Sequence, residues 1–181
     1  MNKAVAAFAF GLLILSSVPA HAGEGQRPPL PAASPEFERI KSLAGTWEGT
    51  ATEMKKEGEP QTGIIEYEIT SGGAAVVERL FKGTPHEMVS IYYDRGGKLT
   101  MTHYCMLGNR PELALAAGSS PDDIRLEHAA GSDGIDEASE MHMHGLTLAF
   151  ADADHFTQTW TSWENGQPMP ACTVIALARK K

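Results

Sequence analysis

The chain has 181 residues, two cysteines and a formal net charge of −8 at pH 7, and no cluster of Lys or Arg occurs along it. That argues against a nucleic-acid partner, because neutralising phosphates takes concentrated positive charge, and it disfavours an anionic membrane surface for the same reason. The length suits one domain with a substantial core and is short for two.

Residues 1–22 read as a secretory signal peptide. Lys3 gives the positive start, Ala4 to Pro19 the apolar run, and Ala20-His21-Ala22 a small-x-small cleavage site. The apolar run falls short of the roughly 20 residues a membrane-crossing helix needs. Cleavage after Ala22 would therefore release the chain to the periplasm or the medium without a membrane span. In that oxidising setting Cys105 and Cys172 can form one disulfide or stay as two buried thiols, and their spacing does not choose between these. Residues 23–33, with Pro28, Pro29 and Pro31, read as a flexible tether, which leaves 34–181 as the domain.

Ser34 can cap a short helix with Pro35 in its first turn. Phe37, Ile40, Leu43 and Ala44 form its apolar face, and Gly45 ends it. This helix is expected to plug or abut one end of the domain. The period then changes to two. Strands are predicted at Thr46–Thr52, Ile65–Ile69, Ala74–Phe81, His86–Tyr93, Lys98–Cys105, Leu113–Ala117, Asp123–Ala129, Met141–Phe150, His155–Trp163 and Pro170–Arg179. Connections such as Ser71-Gly72-Gly73, Asp94-Arg95-Gly96-Gly97 and Glu164-Asn165-Gly166 separate them. About ten short strands at roughly 8–12-residue spacing describe an all-β antiparallel barrel or sandwich. The faces opposite the apolar ones carry Thr, Glu and Arg, whereas a lipid-facing band would be apolar.

Several side chains fall where a barrel has its interior. Leu99 and Met101 share a strand face with His103 and Cys105, and Gln158 and Ser162 share one with Trp160. Polar groups on an inward face are more readily satisfied in a wet cavity than in a sealed core. His142 and His144 lie two apart on one strand, about 6.5–7 Å from each other. From there both imidazoles can reach one metal, with His103 as a third ligand if its strand faces them. Leu146 and Leu148 continue that face, so the histidines are expected to look inward. His103 and Cys105 point in parallel rather than at each other, and no Gly-x-Ser-x-Gly elbow occurs, so no nucleophilic site stands out. The acidic stretch Gly131 to Glu140 lacks the spacing of a calcium loop and reads as solvated.

The segment Leu43-Ala44-Gly45-Thr46-Trp47-Glu48-Gly49 resembles the opening of lipocalin-like proteins, in which Gly-x-Trp follows a short helix and starts the barrel. Further matching stretches are Ser71-Gly72-Gly73 leading to Val77-Glu78-Arg79, Thr102-His103-Tyr104-Cys105, Gly108-Asn109-Arg110-Pro111, Trp160 to Pro168 and the terminal Leu177 to Lys180. With these, residues 37–180 are similar to a bacterial group of uncharacterised secreted proteins with a lipocalin-like (calycin) domain. The resemblance implies an antiparallel up-and-down barrel of about ten strands with a short N-terminal helix, and no particular reaction. The chain is more distantly similar to nitrobindin and fatty-acid-binding barrels through the Gly-Thr-Trp-x-Gly start. Nitrobindins hold haem through a His near the start of the last strand, where this chain has Met169 to Thr173 and no His. That leaves Cys172 as the one thiolate candidate there.

The leading expectation is a binding module without catalysis or a required cofactor. It would take a small, mostly apolar molecule among Trp47, Tyr67, Tyr93, Met101, His103, Cys105, Gln158 and Trp160. Two alternatives stay open. One is a zinc or haem protein using His103 with His142 and His144; the other is an enzyme with His103 as general base. The sequence leaves the oligomeric state open.

Overall fold

A computed structural model describes residues 31–54, 59–131 and 133–181, with the backbone alone at Glu53 and Met54. The expected signal peptide, most of the tether and residues 55–58 of the first hairpin lie outside the described residues. The rest is one short helix, α1 (Pro35–Lys41), and ten strands. These are β1 (Gly45–Met54), β2 (Gln61–Thr70), β3 (Ala75–Leu80), β4 (Met88–Arg95), β5 (Lys98–Tyr104), β6 (Glu112–Leu115), β7 (Asp123–His128), β8 (His142–Phe150), β9 (His155–Glu164) and β10 (Gln167–Arg179). Each strand pairs antiparallel with the next, and β10 returns to β1 to close the barrel. Closure leaves no edge strand with unpaired backbone groups. Among the described residues no helix is long and apolar enough to cross a membrane.

The helix stops one end. Ser34 caps it by accepting from the Phe37 N–H at 3.1 Å, and its own N–H and hydroxyl donate to Asp94 at the end of β4. Phe37, Ile40 and Leu43 are buried in the barrel core. The helix ends at Lys41, earlier than expected. Leu43 and Ala44 form a tight turn, their N–H groups donating to the carbonyls of Ile40 and Lys41. Gly45, with φ 126°, then opens β1 instead of closing the helix.

Closure is secured at this end by Arg179. Its backbone pairs with Trp47 across β1 and β10, and its guanidinium lies 4.1 Å from the centroid of the Trp47 ring. The same guanidinium donates to the carbonyls of Ala44 and Ser42, the chain groups that the helix leaves unpaired. Trp47 also donates through its indole N–H to the Leu43 carbonyl at 2.8 Å and stands edge-on to Phe156.

Two strand-level expectations change. Phe81 lies past the end of β3, in a left-handed turn with φ 52°, and its ring packs where Gly63 has no side chain. Tyr93 faces outward, its hydroxyl donating to Glu112, while Tyr92 holds the inward, fully buried position. In a Tyr-Tyr pair one residue must face each way, and the inward parity of β4 is set by Ser90 and Tyr92.

The stopper is expected to dominate stability at this end. Phe37→Ala should cost about 3–5 kcal/mol in urea denaturation. Ile69→Ala, at a side chain 44% exposed, should stay within about 0.5 kcal/mol.

Candidate functional site

The middle of the lumen is polar and filled. Tyr67, Glu78, Ser90 and His103 stand side by side on β2, β3, β4 and β5 as direct cross-strand partners. Glu78 is fully buried. One of its oxygens accepts from the Tyr67 hydroxyl and from Gln158 Nε2, each at 2.5 Å, and the other from the Tyr92 hydroxyl at 2.9 Å. Gln158 reaches across from β9 and in turn accepts from the Trp160 indole N–H at 3.0 Å. Ser90 Oγ lies 3.0 Å from His103 Nδ1, and the His103 ring packs on Trp160 with centroids 4.7 Å apart. Burial raises the Glu78 carboxyl above the usual carboxylate range, with its hydrogen-bond donors opposing the shift. Burial pushes the His103 imidazole down to about 4, so it is neutral at neutral pH.

Above this row, at the end away from α1, is a pocket of about 220 Å³. His103, Trp160 and Ile175 line it from inside, and Leu80, Met88, Cys105 and Met143 are among its walls. Met106 and Leu107, 61% and 47% exposed, also line it and form an apolar lip at the mouth. Of the eight side chains expected to meet a ligand, His103, Cys105 and Trp160 line this pocket. Tyr67 and Gln158 are bound into the Glu78 network, Met101 and Trp47 are core, and Tyr93 faces outward. Cys105 and Cys172 are free thiols, and burial holds the Cys105 thiol above its usual range. A larger groove of about 560 Å³ lies at the opposite end, beside α1 and the turn at Gly96 and Gly97. Its one strand-borne carboxylate, Asp94, is already engaged by Ser34.

A second cluster sits at the rim of the same mouth. His128, His142 and His144 bring ring nitrogens to within 4.8 Å of one another. His128 is the histidine that sequence reasoning missed, and Asp133 and Glu137, in the acidic stretch expected to be solvated, lie against it instead. His128 ends β7, the strand paired directly with β8, and that adjacency becomes legible only once the strands are paired. His103 lies elsewhere, bonded to Ser90. The expectation that His142 and His144 look into the lumen is also corrected. The β8–β9 register slips between Met143 and Gly145, and an extra residue reverses the facing of everything before it. Met141 and Met143 therefore line the pocket, while His142 and His144 turn toward His128 and Trp163, the His144 ring stacking on Trp163 at 4.0 Å. Burial, then the neighbouring imidazoles of His128 and His142, hold the His144 ring below its usual range.

The segment between β7 and β8 supplies carboxylates to this cluster. His128 Nε2 is 2.7 Å from Asp133 Oδ2, and His128 Nδ1 is 3.1 Å from Glu137 Oε1. Burial opposes ionisation of Asp133. Donation from the backbone N–H groups of Glu112 and Ile135 and from the His128 ring nonetheless holds it below the usual range. Asn109, in the turn after β5, donates to Glu140 and to the Met141 carbonyl, tying the apolar lip to the same segment.

No protein-family model and no curated protein matches the sequence. Solved structures do match its fold. A protein of unknown function from the DUF3598 family of Nostoc punctiforme aligns at TM-score 0.53 and 11% identity over 78% of this chain, which spans 48% of that protein's length. Rv2717c from M. tuberculosis aligns at TM-score 0.53 and 18% identity, over 83% of this chain and 100% of that one. Likeness at these identities establishes the barrel and nothing about its contents.

The His103 shift has a measurable consequence. Unfolded, the ring takes its proton near pH 6.5; folded, it does so near 4. Between those values the unfolded chain binds more protons, so stability falls as the pH falls, by about 3 kcal/mol in all. In His103→Gln that part of the slope should vanish. Urea midpoints of the two proteins at pH 7.5 and at pH 4.5 check this, since other groups contribute equally to both. Parallel curves would show that His103 is not held neutral by burial.

Proposed function

We propose that this chain is an exported, lipocalin-like barrel that binds one small, mostly apolar molecule at its open mouth, without catalysis. The observation that carries this reading is the pocket above the polar row, apolar on its walls and lip with a neutral imidazole at its floor. Binding sites of this kind combine an apolar lining with a few polar groups that orient the ligand. The methionines Met88, Met106, Met141 and Met143 around it are pliant and polarisable, and suit a ligand of variable shape.

The pocket's size bounds the ligand. At about 30 Å³ per water, 220 Å³ is about seven water volumes, so it suits a compact molecule or the end of a chain left partly outside. The filled lumen below does not extend the site, because Glu78, Tyr67, Tyr92 and Gln158 occupy it. A binding role also fits the nucleophile inventory. The Ser90 hydroxyl is fully buried behind His103, and the Cys105 thiol is held protonated by burial, so neither is poised to attack a bound molecule. The apolar lead and Ala20-His21-Ala22 support export as part of this reading, with binding in the periplasm or outside the cell.

The test is native mass spectrometry of the purified protein for a co-purified apolar mass, followed by tryptophan fluorescence titration with short-chain alcohols and carboxylic acids. Met143→Trp, which fills the pocket from its wall, should weaken binding at least about tenfold, as expected for occluding a buried apolar site. A clean apo mass together with no fluorescence change across the panel would sink the binding reading.

A further inference from the structure

We propose that His128, His142 and His144, with the Glu137 carboxylate, form a binding site for a divalent transition metal of the zinc type at the barrel rim. The inference stands apart from the ligand-binding reading, since none of these four side chains lines the pocket.

The hydrogen bonds around the rings carry the argument. His128 Nε2 faces Asp133 at 2.7 Å, so that nitrogen bears a proton, and in the neutral ring Nδ1 keeps its lone pair. The side chain is fully buried, and Nδ1 has no hydrogen bond. His142 Nδ1 faces the Glu140 carbonyl at 2.8 Å, so it too bears a proton and Nε2 is bare. Both rings are thus anchored through the nitrogen that points away from the cluster and offer the other to its centre. Metal-bound histidines are held this way, the outer N–H donating to a carboxylate or carbonyl that fixes ring and tautomer.

The inner atoms are spaced as ligands. Bare His128 Nδ1 stands 3.1 Å from Glu137 Oε1, and His142 Nε2 stands 3.0 Å from His144 Nδ1. Ligands about 2.0–2.1 Å from a tetrahedral centre lie about 3.3 Å apart. A nitrogen lone pair and a carboxylate oxygen 3.1 Å apart repel each other unless a proton or a metal ion lies between them, and no hydrogen bond joins this pair. Three imidazoles and one carboxylate favour zinc, cobalt or nickel over calcium or magnesium, which take oxygen ligands. The metal would pin the segment between β7 and β8 across the barrel rim. Through Asn109 that segment is joined to the lip at Met106 and Leu107.

The competing arrangement is a doubly protonated His128 held between Asp133 and Glu137 with no metal, and the test separates the two. Full-length protein, stripped with a chelator, is titrated with Co(II) and read by visible absorption, then with Zn(II) against a chromophoric competitor. The expected result is one metal per chain, with cobalt bands of tetrahedral intensity. His144→Ala, at a partly exposed rim position, should keep the circular-dichroism spectrum and lose more than about 100-fold in affinity. Asp133→Asn, which weakens the hold on the His128 ring and on the backbone N–H groups of Glu112 and Ile135, should lose about 10–100-fold. Imidazole nitrogen NMR of the stripped protein should show His128 protonated on Nε2 alone. Absence of stoichiometric binding at micromolar metal, binding unaffected by His144→Ala, or a doubly protonated His128 would each overturn the proposal.

Discussion

The constraint on which the interior depends is the burial of Glu78. A carboxyl group fully removed from water must have its oxygens satisfied, or it destabilises the fold by several kcal/mol. Among the described residues no cation pairs with it. Its partners are instead hydroxyl and amide donors from β2, β4 and β9. The β9 donor, Gln158, comes from across the lumen, because β9 is four strands from β3 one way round and six the other. The network therefore braces opposite walls at one height, and register at those strands becomes hard to change. A slip of one residue would turn Tyr67, Ser90 or Gln158 outward and strand the carboxyl.

The brace also determines where a small molecule has room. Below it, α1 and the aromatic group of Trp47, Phe37 and Phe156 fill the barrel. Above it the walls are apolar, and His103 and Trp160 make the floor. His103 belongs to both regions, with Nδ1 toward Ser90 and the ring exposed to the pocket. Glu78 and His103 are both pushed by burial toward their neutral forms, so this floor carries polarity with little charge. An uncharged polar floor beneath apolar walls suits a molecule that ends in a hydroxyl or a protonated acid better than one that brings a fixed charge.

Much of the fold was legible in the sequence because alternation survives as long as one face is buried. The ten strands, the hairpin turns and the capped helix could be read in that way, and so could the inward direction of Met101, His103 and Gln158. What escaped reading depended on parity or on neighbourhood. Tyr92 and Tyr93 differ in sequence position by one, and only Ser90, a residue with no strong preference for inside or outside, tells which of them faces in. Glu78 sits between Val76 and Leu80 on the inward face of β3, but a lone carboxylate among apolar residues reads as a surface position unless its donors are known. All three of those donors, Tyr67, Tyr92 and Gln158, come from other strands. The third imidazole is a matter of neighbourhood. His103 is on β5, three strands from β8, whereas His128 is on β7, paired directly with β8.

The bulge at His144 shows why the rim is legible only in three dimensions. Extended backward from Leu146 and Leu148, strict alternation sends His142 and His144 into the lumen. One extra residue against β9 inverts that. Gly145 permits the distortion, since a Cβ there would come within 2.7 Å of the Thr161 hydroxyl. The result is a four-residue segment with two uses. Met141 and Met143 face the pocket, while His142 and His144 face His128. One strand end thus serves as the wall of the apolar mouth on one side and as part of the imidazole cluster on the other. A displacement of that segment by a fraction of an ångström on either side is felt on both, because side chains two apart on a strand are carried by one stretch of backbone.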